Sequence, residues 1–170
     1  PDYSSAASDV YKRQLYTKEG PCPSCRQQSD VQGNHAMCCG SGGERISRHN
    51  HLRDHLHDVA AAAGLGPRKE VRFLIPGNDS RPADVLLPHW KQGKDVALDV
   101  AVVNPCKGGT VVEAAAVAGF ALNDTFKSKM QKSSEACQRE GVIFMPMVTE
   151  SFGGWHEVAV TEVERLGAAL

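Results

Sequence analysis

Two stretches of alternating character, "ADVLLP" at 83–88 and "DVALDVAVV" at 95–103, flank a polar segment that contains Gly93. They predict the two strands of a hairpin. Upstream, Ile46, His49, Leu52, Leu56, Val59 and Ala60 recur at three- and four-residue spacing. That period predicts a helix over 44–63, stopped by Gly64. "KEVRFLI" at 69–75 reads as a short strand closed by the turn "PGND". Downstream, an Ala-rich helix is expected over 111–137, interrupted near Gly119 or Asn123. "GVIFMPMV" at 141–148 reads as a buried strand, and "GGW" leads into a last helix over 156–168. Three strands, a crossover helix and a fourth strand give an α/β (α+β) architecture, a mixed sheet of four to five strands flanked by helices.

The hairpin carries one acid on each strand, Asp84 and Asp99. Folding the chain about the Lys91–Gln92 bond pairs 84 with 99, 85 with 98 and 86 with 97, which sets both acids on one face beside Leu86, Ala97 and Ala101. The other face is Val85, Leu87, Val96, Leu98, Val100 and Val102. Like charges opposed on a buried sheet disfavour folding, so compensation is expected: a protonated acid, exposed strand ends, or a divalent cation, magnesium or manganese, between them. A register slipped by one residue would instead leave two solvated acids. On the long helix Phe126, Met130, Ser133 and Cys137 form one stripe. Lys129 flanks that stripe, Lys127 lies further round the other side and Lys132 points away.

Composition adds a second centre. Residues 20–43 are rich in Gly, Ser, Cys and Pro and cannot bury a core unaided. Cys22 and Cys25, two residues apart, with His35 and Cys39 downstream, have the spacing of a tetrahedral zinc site, for which Cys38 rivals Cys39 as fourth ligand. His51 and His55 offer a weaker two-point metal site on one helix face. Arg45, Arg48 and Arg53 with the neighbouring histidines make a mildly basic helix suited to phosphate. The formal net charge of −1 supplies no overall basic field for nucleic acid. No apolar run approaches the roughly 20 residues of a membrane span. Six unevenly spaced cysteines suit a reducing, intracellular compartment, nuclear or cytoplasmic, better than a disulfide scaffold. The first 14 residues, "PDYSSAASDVYKRQ", resemble a translated library adapter and read as a disordered tail.

The ordered set "CPSC…GNHAMCC…RHN…LRD…RPADV…LDV…K…GGW" resembles the C-terminal region of site-specific non-LTR retrotransposon proteins. There a CCHC zinc knuckle precedes a restriction-endonuclease-like domain of the PD-(D/E)XK superfamily. The resemblance covers residues 20–168 and implies a knuckle over 20–43 and an endonuclease-like domain over 44–170. It implies that Cys22, Cys25, His35 and Cys39 hold zinc and that Arg48, His49 and Asn50 position DNA or support the acids. Asp84 and Asp99 would hold magnesium or manganese, and Lys129 would act as the downstream helix lysine. Here the acid of the Pro-Asp element is displaced by one residue, in Pro82-Ala83-Asp84. Ala101 stands where a lysine usually follows the second acid, and Ser133 where a tyrosine often stands. The implied partners are DNA, or RNA, and a reverse-transcriptase segment expected to be missing from this chain, which would make it a fragment. The function expected is a metal-dependent DNA endonuclease that nicks its target. The rivals are a catalytically inactive nucleic-acid-binding module with a zinc knuckle, and a zinc-stapled protein-interaction domain.

Overall fold

In the structure, a computed structural model, residues 17–41, 43–72, 74–75, 82–107 and 109–170 are described. The adapter-like residues 1–14 and the "PGND" turn lie outside them. Two short strands, β1 (Gly20–Pro21) and β2 (Gln28–Ser29), and a one-turn helix α1 (Asn34–Cys38) come first. The helix α2 (Glu44–Ala62) follows, then β3 (Arg68–Lys69), β4 (Val85–Lys91) and β5 (Lys94–Val103). Helices α3 (Val111–Ala116) and α4 (Phe120–Arg139) lead to β6 (Ile143–Glu150) and α5 (Glu157–Ala168).

The main sheet has the order β3-β4-β5-β6, antiparallel at the first two junctions and parallel between β5 and β6. It is the expected mixed sheet of an α/β fold, with four strands among the described residues. The strand read at 69–75 shortens to Arg68–Lys69. Glu70 ends the strand with φ 47: its N–H still donates to the Asp84 carbonyl at 2.9 Å, and its carboxylate pairs with Arg53. Beyond it Val71, Leu74 and Ile75 pack against the core without pairing as a strand.

The hairpin register is the one its alternation demands: Val85 pairs with Leu98, Leu86 with Ala97 and Leu87 with Val96. Between Leu87 and Lys91 the register shifts, so the turn falls at Gln92-Gly93, both with positive φ, and Lys91 pairs with Lys94. Pro88 has no N–H for the ladder, and the His89 N–H turns to the Asp95 carboxylate at 3.0 Å.

Alternation sends the two faces of the hairpin into two cores. Val85, Leu87, Val96, Leu98 and Val100 join Leu56 and Ala60 of α2, Met145 and Met147 of β6, and Ala159 and Leu166 of α5. Leu86 and Ala97 join Ala83, Cys137, Val142 and Phe144 beneath α4. Helices therefore cover both faces, and both strands read as nearly continuous apolar runs. Trp90 donates its indole N–H to Glu162, a carboxylate only 1% exposed on α5, which locks that helix to the bulged strand.

The long helix read at 111–137 is two helices. Gly119, with φ 72, makes the break, since a left-handed residue here favours glycine, and α4 restarts immediately after it. Of the apolar positions on α2, Leu56 and Ala60 are buried and Leu52 and Val59 partly so, whereas Ile46 is 61% exposed. No helix among the described residues is long and apolar enough to cross a membrane.

Candidate functional site: a zinc cluster beside paired acids

The β1–β2 hairpin turns tightly through the Cys22-x-x-Cys25 segment. The Cys22 N–H donates to the Gln27 carbonyl at 2.8 Å, and the Arg26 N–H donates to the Cys22 carbonyl at 2.9 Å. The helix α1 then brings up His35 and Cys39. The ligand atoms of Cys22, Cys25, His35 and Cys39 all lie within 4.8 Å of one another. Cys22 Sγ and Cys39 Sγ are 3.8 Å apart, and Cys25 Sγ is 3.1 Å from His35 Nε2. Two sulfurs at about 2.3 Å from one zinc ion, at the tetrahedral angle, stand about 3.8 Å apart. The cluster fits structural zinc, and a closed set of four ligands leaves no open position for catalysis. The N–H groups of Cys25 and Ser24 draw the Cys22 thiol down to about 6, which favours the thiolate that binds metal.

The structure selects Cys39 over Cys38. The Cys38 sulfur faces away from the cluster and accepts from the Asn104 amide at 3.2 Å. Asn104 also reaches the Asn34 carbonyl at 3.4 Å, and its own oxygen accepts the Cys106 N–H at 3.0 Å. Arg48 of α2 donates to the Met37 carbonyl. The zinc unit is thus docked on the sheet domain through buried polar contacts. His51 and His55 are exposed and belong to no group of three or more metal-ligating side chains among the described residues.

Asp30 supports the cluster and was not singled out in the sequence. Its carboxylate accepts the N–H groups of Asn34 at 3.0 Å and His35 at 2.8 Å, capping α1 and orienting the histidine. Burial raises its pKa, but those N–H groups, His35 first, outweigh it and hold the carboxyl below the usual value of 3.8. The local signal was an Asp four residues before the helix start, a residue type that caps helix N–H groups. Asp30→Ala is expected to weaken zinc affinity by roughly 5- to 10-fold, because the helix that carries His35 loses a cap worth about 1 kcal/mol. Competition against a chromophoric chelator reads this directly.

The acids sit where the sheet, α2 and α4 meet. Asp84 precedes β4, and its carboxylate accepts the Val100 N–H at 2.6 Å. His49 of α2 stands 3.3 Å from its other oxygen. Asp99 lies on β5, and Lys129 of α4 donates to it at 2.7 Å. Burial pushes both carboxyls up. Hydrogen bonding and charge from His49, with the Val100 N–H and Lys129, bring Asp84 below 3.8. Asp99 stays above 3.8: burial and the charge of Asp84 outweigh Lys129. The bond to Asp84 in turn raises His49 above 6.5 against its own desolvation.

Each of the two opposed acids therefore has a partner within the protein: the His49 imidazole for Asp84 and the Lys129 ammonium for Asp99. The oxygen-only donor set still has the chemistry of a magnesium or manganese site. The Arg-His-Asn stretch divides: Arg48 serves the zinc unit, His49 serves Asp84, and Asn50 is half-buried, with no side-chain hydrogen bond among the described residues. Arg53 is held by Asp54 and Glu70, so of the three arginines read as a basic face only Arg45 lines the cleft.

Asp99 and Lys129 lie on the floor of a cleft of about 590 Å³. The zinc unit (Met37, Cys38) and α2 (Arg45, Ile46) form one wall and α4 the other. A second cavity, of about 680 Å³, continues past the same pair toward Ser133 and Ala136. Lys132, read as pointing away from the acids, lines this second cavity together with Asp99 and Lys129. The lysine is long, and it stands only about 60° from Lys129 around the helix. No family model matches the chain, and no curated protein matches it.

Proposed function

We propose that this chain is a zinc-stapled nucleic-acid-binding module. The observation that carries the reading is the four-ligand cluster docked by Arg48 and Asn104 as a wall of the cleft. A unit held in this way presents a fixed surface rather than a tethered bead, and the cleft it helps to form carries cationic side chains. The motifs give the same reading its family: the C-terminal region of a non-LTR retrotransposon protein, with the knuckle at 20–43 and a PD-(D/E)XK-like core at 44–170. DNA is the partner, with RNA a possible second, in company with a reverse transcriptase and in an intracellular compartment.

The juxtaposition of Asp84, Asp99 and Lys129 favours a second, more specific reading, in which the core is a metal-dependent endonuclease. Asp84 and Asp99 would hold magnesium or manganese, which supplies a Lewis acid and an activated water for phosphodiester cleavage. Lys129 would release Asp99 to the cation and place its ammonium on the scissile phosphate or the attacking hydroxide. His49 would hold Asp84 in position.

One titration followed by one incubation separates the readings. The zinc-loaded chain is expected to bind labelled DNA, with log K falling linearly in log salt. Absence of binding at low salt overturns both readings. Binding with no nick in supercoiled plasmid under magnesium or manganese leaves the binding module and removes the enzyme.

A further inference from the structure

The two cavities share Asp99, Asp124, Thr125 and Lys129, so they are one groove that passes over the acid–lysine pair and continues on both sides. Toward the zinc unit its cations are Arg45 and Lys107; on the far side it has Lys132. Among the described residues none of these three has an acidic partner, whereas Lys129 is held by Asp99. Among the described residues the groove lining thus sets four cations, Arg45, Lys107, Lys129 and Lys132, against two carboxylates, Asp99 and Asp124, in a chain of net charge −1. The positive charge absent from the whole chain is concentrated here, and it lies on both sides of the centre.

We infer that the groove takes an uninterrupted nucleic-acid strand. Arg45 and Lys107 hold phosphates on one side of the Asp99–Lys129 centre, and Lys132 holds one on the other. This rests on the reading of the chain as a nucleic-acid binder and adds which residues hold the strand and how it lies. Free cations spaced along an open groove neutralise successive phosphates without selecting a base. Among the described residues the groove has, beyond the centre in either direction, no feature that stops a strand end. Ile46, exposed on the rim beside Arg45, offers an apolar surface to a base there.

The test uses the full zinc-loaded chain and a labelled oligodeoxynucleotide of about 20 nucleotides, long enough to exceed one groove. Lys132→Gln and Lys107→Gln are each expected to weaken binding several-fold. Each should flatten the plot of log K against log salt by about 0.7–0.9, the loss of one phosphate contact. Lys127→Gln, on the same helix but outside both cavities, should change neither. A closed single-stranded circle should compete as well, per nucleotide, as a linear strand. If the wild type binds but Lys132→Gln and Lys107→Gln behave as Lys127→Gln does, the inference is overturned and the binding module stands. If only linear strands compete, the through-groove is overturned. If the wild type does not bind, the underlying reading has failed first.

Discussion

Stripping zinc from the folded chain is expected to melt residues 20–39 while leaving the sheet and its helices standing. The zinc unit has almost no apolar interior: of its described residues the buried ones include the ligands Cys22 and Cys39 themselves. Structural zinc in such a unit is worth about 10–16 kcal/mol of folding free energy near neutral pH. The sheet domain has two cores of its own, built from Leu87, Leu98, Met147 and Leu166 on one side and Leu86, Cys137 and Phe144 on the other. Hydrogen exchange after chelation should therefore lose protection in α1 and the β1–β2 hairpin and keep it in β5 and β6. The docking contacts predict a second, smaller effect. Without α1, Asn104 loses Cys38 and Asn34, and Arg48 loses Met37. Each lost hydrogen bond, once water takes the partner's place, is worth about 0.5–1.5 kcal/mol, so the sheet domain should melt a few degrees lower in the zinc-free chain. Cys39→Ser should reproduce the loss of zinc. Cys38→Ser should retain one zinc per chain, because its sulfur serves Asn104 and not the cluster.

The hairpin register followed from alternation because only one register sets Val85, Leu87, Val96 and Leu98 on the same face, and a slip of one residue would send one strand's set into the other core, which Leu86 and Ala97 fill. Three of the knuckle ligands were legible because chelate spacing is local, whereas the choice of Cys39 over Cys38 depends on Asn104, distant in sequence, which takes the Cys38 sulfur. What alternation could not supply was the bulge at Pro88–His89, which depends on Pro88 lacking a donor and on Asp95 receiving the His89 N–H from across the hairpin. The opposition of the two acids does not by itself name their partners, which come from helices distant in sequence; the angular position of Lys129 and the resemblance pointed to Lys129 and His49, and the structure sets each against one acid. The helical period placed Ile46 with Leu52 and Leu56, yet the first turn of α2 runs past the sheet and over the cleft, where nothing covers it. Angular position around a helix decided well which residues face the core, and poorly what a long side chain such as Lys132 can reach.

Replacing Asp99 is the substitution that separates a binder from an enzyme, because the two readings assign it opposite effects. If the groove only binds, Asp99→Asn removes a negative charge from its floor and frees Lys129, so DNA affinity should rise and its salt dependence steepen. If the centre cuts, Asp99→Asn should reduce nicking by about 100-fold or more, since a ligand of the charge-stabilising cation is gone. Lys129→Ala supplies the physical control. It leaves Asp99 beside Asp84 with no cation, in a site where Asp99 already titrates above 3.8, and so lifts Asp99 further. A carboxyl raised in the folded state binds its proton more tightly there than in the unfolded chain, so stability falls as pH rises past 3.8 through the folded value. The loss of stability in Lys129→Ala should accordingly be greatest near neutral pH and shrink as the solution is acidified toward the raised value. Adding Asp99→Asn to Lys129→Ala should return most of that loss and flatten the pH dependence, because the unpaired charge is removed. Urea denaturation from pH 4 to pH 8 without added magnesium measures both variants. A Lys129→Ala chain equally destabilised at every pH would mean that the lysine acts by packing and that the pair at the groove floor carries no electrostatic coupling.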